Sequence, residues 1–316
     1  DHSQQAMRIL SCGLLLIRLS MSASYTSFCD APNFQPEWSD EFDGTTLDKS
    51  KWSIVCSAGK GNSTSCVEPF PTHAADDHGA ECRSAVCIEE AVSVSSGHLY
   101  LTSSRISSPG SDQKWTTGAV KTRGKVNWTT DDGTYRVCVS AMLPGGGGEA
   151  DGFTAQGVWP AHWMMPDDNS CDPDEGEMDI MEMVSGSGEV EATYHWQKNW
   201  PDITCAYPSG HDEIWNGTTY PGSGDPDTWW WSDFHEYAVE RSESSISFAV
   251  DGIVIVNSTT YTNSSGDSKD VLLWPIPFYL ILNSAVGGGW PGEPDNTTIS
   301  PTKHTIDYVR VVRLKG

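Results

Sequence analysis

Residues 175–184 read Glu175-Gly-Glu-Met-Asp-Ile-Met-Glu-Met-Val184. Side chains on a β-strand alternate between faces, so Glu177 and Asp179 share one side while Met178 and Ile180 share the other. Strict alternation would then send Met181 to the acidic side and bury Glu182 among Met and Ile, which costs several kcal/mol for an unpaired charge. One extra residue at Ile180–Met181, a β-bulge, removes the conflict. It returns Glu182 to the face of Glu177 and Asp179, and Met183 to the apolar face. The expected result is three carboxyl groups in a row on one sheet face. Strand rise places Glu177 and Asp179 about 6.6 Å apart at the backbone, with Glu182 about one such step further.

Segments of the same kind recur on either side. Short runs rich in Val, Ile, Thr, Tyr and Trp alternate with Gly, Pro, Asn and Asp clusters, and long helical periodicity is almost absent. Strands are expected at His98–Ser103, Ala119–Asn127, Thr134–Met142, Glu177–Met183 and Glu191–Trp196. Further ones fall at His235–Arg241, Ser245–Val250, Gly252–Val256, Phe278–Ser284 and Thr305–Arg313. Asp251-Gly252 is a favoured two-residue turn pair and predicts a hairpin over Ser247–Val256. Strands at this density without helices predict an all-β fold, a two-sheet antiparallel sandwich of jelly-roll type. Gly145–Gly148 reads as a loop tip and Pro208–Asp227 as an irregular insertion.

The start of the chain has a different character. Arg8 precedes a mostly apolar run, Ile9–Ile17, followed by small residues at Ser20, Ser22, Ala23 and Ser24, the pattern of a secretory leader. The run is too short to span a bilayer, and Arg18 interrupts it. Residues 1–28 are therefore expected to be a leader region and 29–316 a single domain. Removing the leader deletes Cys12 and leaves eight of nine cysteines, an even number that fits disulfides. None has zinc-type spacing. Cys82–Cys87 and Cys171–Cys205 are the expected pairings. Six glycosylation triplets, at Asn62, Asn127, Asn216, Asn257, Asn263 and Asn296, also point outside the cell.

With 43 acidic against 19 basic residues, the net charge of −24 disfavours nucleic acid and anionic membranes and fits a neutral substrate. Acidity that serves only solubility is the competing explanation. The fourteen Trp divide between core packing and loop positions beside Gly, Pro and His, where they suit flat ligands. Three clustered carboxyls cannot all be ionised cheaply, so the pKa of at least one is expected to rise, which suits a general acid. Two Glu side chains with carboxyls about 5–5.5 Å apart suit retaining glycoside hydrolysis. Glu177 would be the nucleophile, Glu182 the general acid/base, and Asp179 the neighbour that tunes both. A solvated acidic edge or a calcium cluster fits the bare pattern as well.

In context, Glu177-Met-Asp-Ile-Met-Glu182 resembles the bulged signature of glycoside hydrolase family 16 in its laminarinase-like branch. The resemblance extends to Trp38-Ser-Asp-Glu-Phe-Asp-Gly44, Leu47-Asp-Lys-Ser-Lys-Trp52 and Gly157-Val-Trp-Pro-Ala-His-Trp-Met-Met-Pro166. It continues through Phe278–Gly292 and Ile306-Asp-Tyr-Val-Arg-Val311, and covers about residues 36 to 314 in order. It implies a curved jelly roll with a cleft on its concave face that hydrolyses β-1,3-glucan, or mixed β-1,3/1,4-glucan, without a catalytic cofactor. The mature protein is expected to be a monomer without a membrane or nucleic-acid partner. Trp159 and Trp163 would stack on sugars near the scissile bond, with core packing an open alternative for Trp159. Trp290 would serve a further subsite, and His195 and Trp196 would lie beside the cleft. Arg123 would donate to sugar hydroxyls or be an ordinary solvated arginine. Glu41 and Asp307 would be candidates for the structural calcium often present in that branch. The segments around Cys56–Cys87 and Cys171–Cys205, and Pro208–Asp227, depart from the family's core and would cap one end of the cleft. A non-catalytic glucan-recognition protein and a transglycosylase of the same fold are the competing functions.

Overall fold

The computed structural model describes residues 26–57, 66–69, 79–106, 115–145, 154–167, 176–197, 211–219, 230–258, 260–262, 268–270, 273 and 275–316. Two sheets account for most of them. The larger has ten strands and runs β16 (Ile253–Ser258), β15 (Ile246–Val250), β14 (His235–Arg241), β9 (Tyr135–Met142), β20 (Thr302–Leu314), β6 (His98–Arg105), β7 (Trp115–Thr117), β4 (Val86–Cys87). In addition, β1 (Phe34–Asp40) pairs with β20, and β5 (Val92–Ser95) with β6. The smaller runs β13 (His211–Thr219), β12 (Glu189–Gln197), β11 (Glu177–Glu182), β10 (Val158–Pro166), β19 (Phe278–Val286), β8 (Ala119–Lys121), β2 (Ser53–Val55), β3 (Cys66–Val67). A separate ribbon joins β17 (Thr260–Thr262) to β18 (Ser268–Asp270). There is no α-helix among the described residues. Pairing is antiparallel except at β2–β3 and β4–β7.

The main core lies between the sheets. Val137, Val139, Tyr237, Phe248, Ile306 and Val309 of the ten-stranded sheet meet Met164, Met178, Ile180, Tyr194, Leu280 and Leu282 of the eight-stranded one. Trp52, Trp128, Trp196 and Trp230 are fully buried there, which accounts for part of the tryptophan load as packing. The predicted hairpin forms as β15–β16, with Asp251 and Gly252 both at positive φ (50° and 75°), as its two-residue turn demands.

Several boundaries differ from expectation. The strand expected over Ala119–Asn127 stops at Lys121. The chain turns at Thr122, whose carbonyl accepts from the amides of Lys125 and Val126, and Trp128 then bridges Phe278. The stretch read as an irregular insertion contains a nine-residue strand, His211–Thr219, paired along its whole length with β12. Its Asp, Asn and Gly have low strand propensity, and cross-strand pairing overrides that weak preference.

Disulfides join Cys29–Cys138, Cys56–Cys66 and Cys82–Cys87 among the described residues. The last is the expected local pair; Cys171, Cys205 and Cys12 lie outside the described residues, as does nearly all of the expected leader. Glu41 and Asp307, the candidates for a structural calcium, each face a basic side chain. Both carboxylate oxygens of Glu41 accept from Arg310, at 3.0 and 2.8 Å, and Asp307 faces His98 at 3.7 Å. No group of three or more His, Cys, Asp or Glu suited to a metal occurs among the described residues.

Candidate active site

The acidic strand is bulged where the pattern required. Glu177, Met178, Asp179 and Glu182 of β11 pair with His195, Tyr194, Thr193 and Glu191 of β12, so β11 advances three residues where β12 advances two. On the other side, Trp163 pairs with Asp179 and His162 with Met181, one residue out of step at Ile180. Met178, Ile180, Met181 and Met183 all enter the core between the sheets. The three carboxylates consequently share the opposite face of the sheet. Counted along β12, the backbones of Glu177 and Glu182 lie about 13 Å apart, a gap two converging Glu side chains can narrow to flank one sugar.

Neighbouring strands supply the surroundings. His195 places Nε2 3.1 Å from Oδ2 of Asp179, which is 3% exposed. The indole N–H of Trp159 donates to Oε1 of Glu182 at 3.0 Å. Burial pushes the Glu182 carboxyl up to about 8, helped by the negative charges of Asp179 and Glu191 and opposed by His195 and the Trp159 hydrogen bond. A glutamate that keeps its proton at neutral pH, beside two other acidic side chains, is suited to general-acid work.

The remaining predicted residues divide. Trp163 is buried on the site side, packed with Ala161, Met165, Tyr279 and Ile281, and donates to Oδ1 of Asn283 at 2.8 Å. It forms floor rather than an open stacking wall. Trp290 is 47% exposed and meets Trp159 edge-to-face, with centroids 5.1 Å apart, so it remains a free platform. Arg123 lies over the Tyr279 ring at 5.4 Å and 3.6 Å from Asp167, and Asn127 also donates to that carboxylate. Burial raises the Tyr279 phenol, which lies within electrostatic reach of Glu177, so Arg123 sits at the edge of the same site. Trp196 does not belong to the cleft. It is 1% exposed and stacked on Tyr194 in the core, because neighbours on a strand face opposite ways and His195 takes the site side.

Other contributors escaped the sequence reading. Arg83 lies 4.8 Å over the Trp159 ring, Glu191 stands across from Glu182, and a buried Lys121–Glu81 ion pair (3.0 Å) flanks Asn283. All of these contacts except the Glu182–Glu191 pairing bridge more than 35 residues, where spacing carries no signal. Glu191 was legible: it shares its strand face with Thr193 and His195.

Comparison with known proteins places this geometry. The profile of "Glycosyl hydrolases family 16" matches residues 150–310, the span that holds β10 to β19. A beta-glucanase of Rhodothermus marinus is 32% identical over 95% of this chain and 92% of its own length. Glucan endo-1,3-beta-glucosidase A1 of Niallia circulans is 29% identical over 87% of this chain, which spans only 37% of that longer protein. Among solved structures, the laminarinase catalytic domain of Thermotoga maritima MSB8 superposes with a TM-score of 0.67 at 27% identity, over 90% of this chain and all of that one. The endo-beta-1,3-glucanase of Pyrococcus furiosus gives 0.66 at 27% identity, over 90% and 95%. A bulged carboxylate strand on a jelly-roll sandwich, matched by profile, by sequence and by superposition, makes this chain a member of glycosyl hydrolases family 16.

Proposed function

We propose that the protein is a secreted endo-hydrolase that cuts β-1,3-glucan, with tolerance for mixed β-1,3/1,4 linkages, and retains anomeric configuration. The observation that carries this reading is the bulge at Ile180–Met181, which turns Glu177 and Glu182 to one face. The names of the relatives from Rhodothermus marinus and Niallia circulans support the substrate class. The net charge of −24 suits a neutral polymer. The leader-like start, the glycosylation triplets and the disulfides support export.

The chemistry follows the double-displacement route. Glu177 attacks the anomeric carbon as Glu182 gives its proton to the departing glycosidic oxygen, leaving a glycosyl ester on Glu177. Glu182, now a carboxylate, takes a proton from water, and the resulting hydroxide displaces the ester with a second inversion. Burial first, and then the neighbouring Asp179 beside His195, favour a protonated Glu182 at rest. Trp290 offers an exposed ring for a sugar face.

A panel digest of laminarin, lichenan, curdlan, agarose and carrageenan, with product sizing and NMR of the first anomer released, tests the proposal. Rapid internal cleavage of laminarin to β-anomers is expected. Hydrolysis of only the galactans, or release of α-anomers, would overturn it.

A further inference from the structure

The geometry points to Arg83 as a positioning residue that sets the orientation of Glu182 through Trp159, an inference that rests on Glu182 being the acid/base. Arg83 belongs to a short turn. Its amide and that of Cys82 both donate to the Gly79 carbonyl, the Cys82–Cys87 disulfide closes the turn, and a bridge ties Arg83 to Val286. Its backbone sits at φ 56°, a left-handed conformation that a residue with a Cβ adopts at a cost. Such strain persists where surrounding structure enforces it, and it gathers at functional sites. Its effect here is to lay the guanidinium 4.8 Å over the Trp159 ring, with its aliphatic stem beside Gly288. At Gly288, φ is 107° and a Cβ would come within 3.7 Å of that stem.

Trp159 is thus held by Arg83 against one part of its ring system and by the edge-to-face contact of Trp290. Its N–H then donates to Oε1 of Glu182. An oxygen that accepts this bond is the poorer place for the acid proton, so the proton resides on Oε2, the oxygen left to meet the glycosidic bond. A cation over an indole also draws electron density from the ring and strengthens its N–H as a donor. The groups facing Glu182 are Asp179 on its own strand, His195 and Glu191 on β12, and Trp159 on β10. Arg83 acts through the last of these.

The test compares two substrates by kcat/KM, which reports bond cleavage: a linear β-1,3-gluco-oligosaccharide, and the 2,4-dinitrophenyl glycoside of a short β-1,3-glucan oligomer. The dinitrophenolate departs without a proton. Arg83→Met is expected to slow the oligosaccharide about tenfold, a fraction of the full general-acid contribution, and to leave the aryl glycoside nearly unchanged. The alkaline limb of its pH profile should move to higher pH, because the ionised form of Glu182 loses support. Arg83→Lys, which keeps a cation over the ring, should restore part of the rate; Trp159→Phe should reproduce the selective loss and covers the case of a poorly folded Arg83→Met. Equal slowing of both substrates, or no slowing of either, would overturn the inference. Glu182→Gln on the same pair separates the two levels. If it slows both substrates equally, the acid role itself is wrong; if it alone is selective, only the role of Arg83 falls.

Discussion

The two sides of β10 and β11 bury polar groups to opposite ends. On the site side, Glu177, Asp179, Glu182 and His195 stand in a row of ionisable groups beside Trp159. On the core side, His162 and His304 stack with ring centroids 4.9 Å apart and Nε2 atoms 2.9 Å apart, both fully buried. Nδ1 of His304 lies 3.1 Å from the Asn283 carbonyl, so it carries a hydrogen and its Nε2 accepts from His162. That leaves Nδ1 of His162 as an acceptor without a partner. Loss of hydration acts on both groups with opposite sign. It pushes the Glu182 carboxyl up to about 8, and it lowers His304 to about 4 and His162 well below the ordinary imidazole range. In both places the neutral form is favoured. One neutral group is a proton donor in reach of substrate, and the other is a tie between sheets that tolerates no charge.

That contrast is easiest to break at its strongest point. Glu177→Gln should lower hydrolysis by at least about 10⁴-fold, the scale on which covalent catalysts fail when the nucleophile is removed. Glucan retardation in affinity electrophoresis should be unchanged; a binding-only protein would show no hydrolysis in the parent either. Glu182→Ala should lose about 10²–10⁴-fold, with partial recovery when azide is added to an intact fold checked by circular dichroism. An absence of recovery argues against the acid/base assignment.

The next comparison is of proton affinities. The first chemical step needs protonated Glu182, so kcat/KM of the parent should fall as pH rises through about 8. Asp179→Asn removes a neighbouring negative charge and should move that fall to lower pH. On the core side the sign reverses. Unfolded histidines take up protons below about 6.5, whereas His304 does so only near about 4. In that window the unfolded chain binds more protons, so stability is full above about 6.5 and declines as pH falls toward about 4. Replacing both His162 and His304 with Leu should flatten the dependence by about 1.4 kcal/mol per pH unit for each histidine. Urea melts at pH 7.5 and 5.0 read the difference, and equal slopes in parent and double variant would remove the core pair as its cause.

How much of this was legible depended on whether a local rule sufficed. The collision between Met181 and Glu182 under strict alternation demanded a bulge, and both flanking strands carry the matching register shift. Applied to His195 and Trp196, the same rule excludes a shared face; taking both as cleft residues ignored it, and Trp196 lies in the core. His211–Thr219 was obscured because Asp212, Asn216 and Gly217 read as turn formers, while β12 supplies the pairing that makes them a strand. Arg83, Asn283 and the Lys121–Glu81 pair reach the site only through the tertiary fold, and Glu41 carries no sign in its own segment that Arg310 will occupy it.

The outermost strand of the ten-stranded sheet, β16, exposes Ile253 (66%) and Val254 (44%). Exposed apolar side chains such as these invite self-association between molecules. Asn257 lies on that same strand and begins an Asn-Ser-Thr triplet. A bulky hydrophilic sugar there would act as a spacer, keeping two such edges from meeting. If Asn257 carries such a sugar, protein made in a host without glycosylation should cleave glucan normally but scatter more light on concentration, and Ile253→Lys should clear the haze.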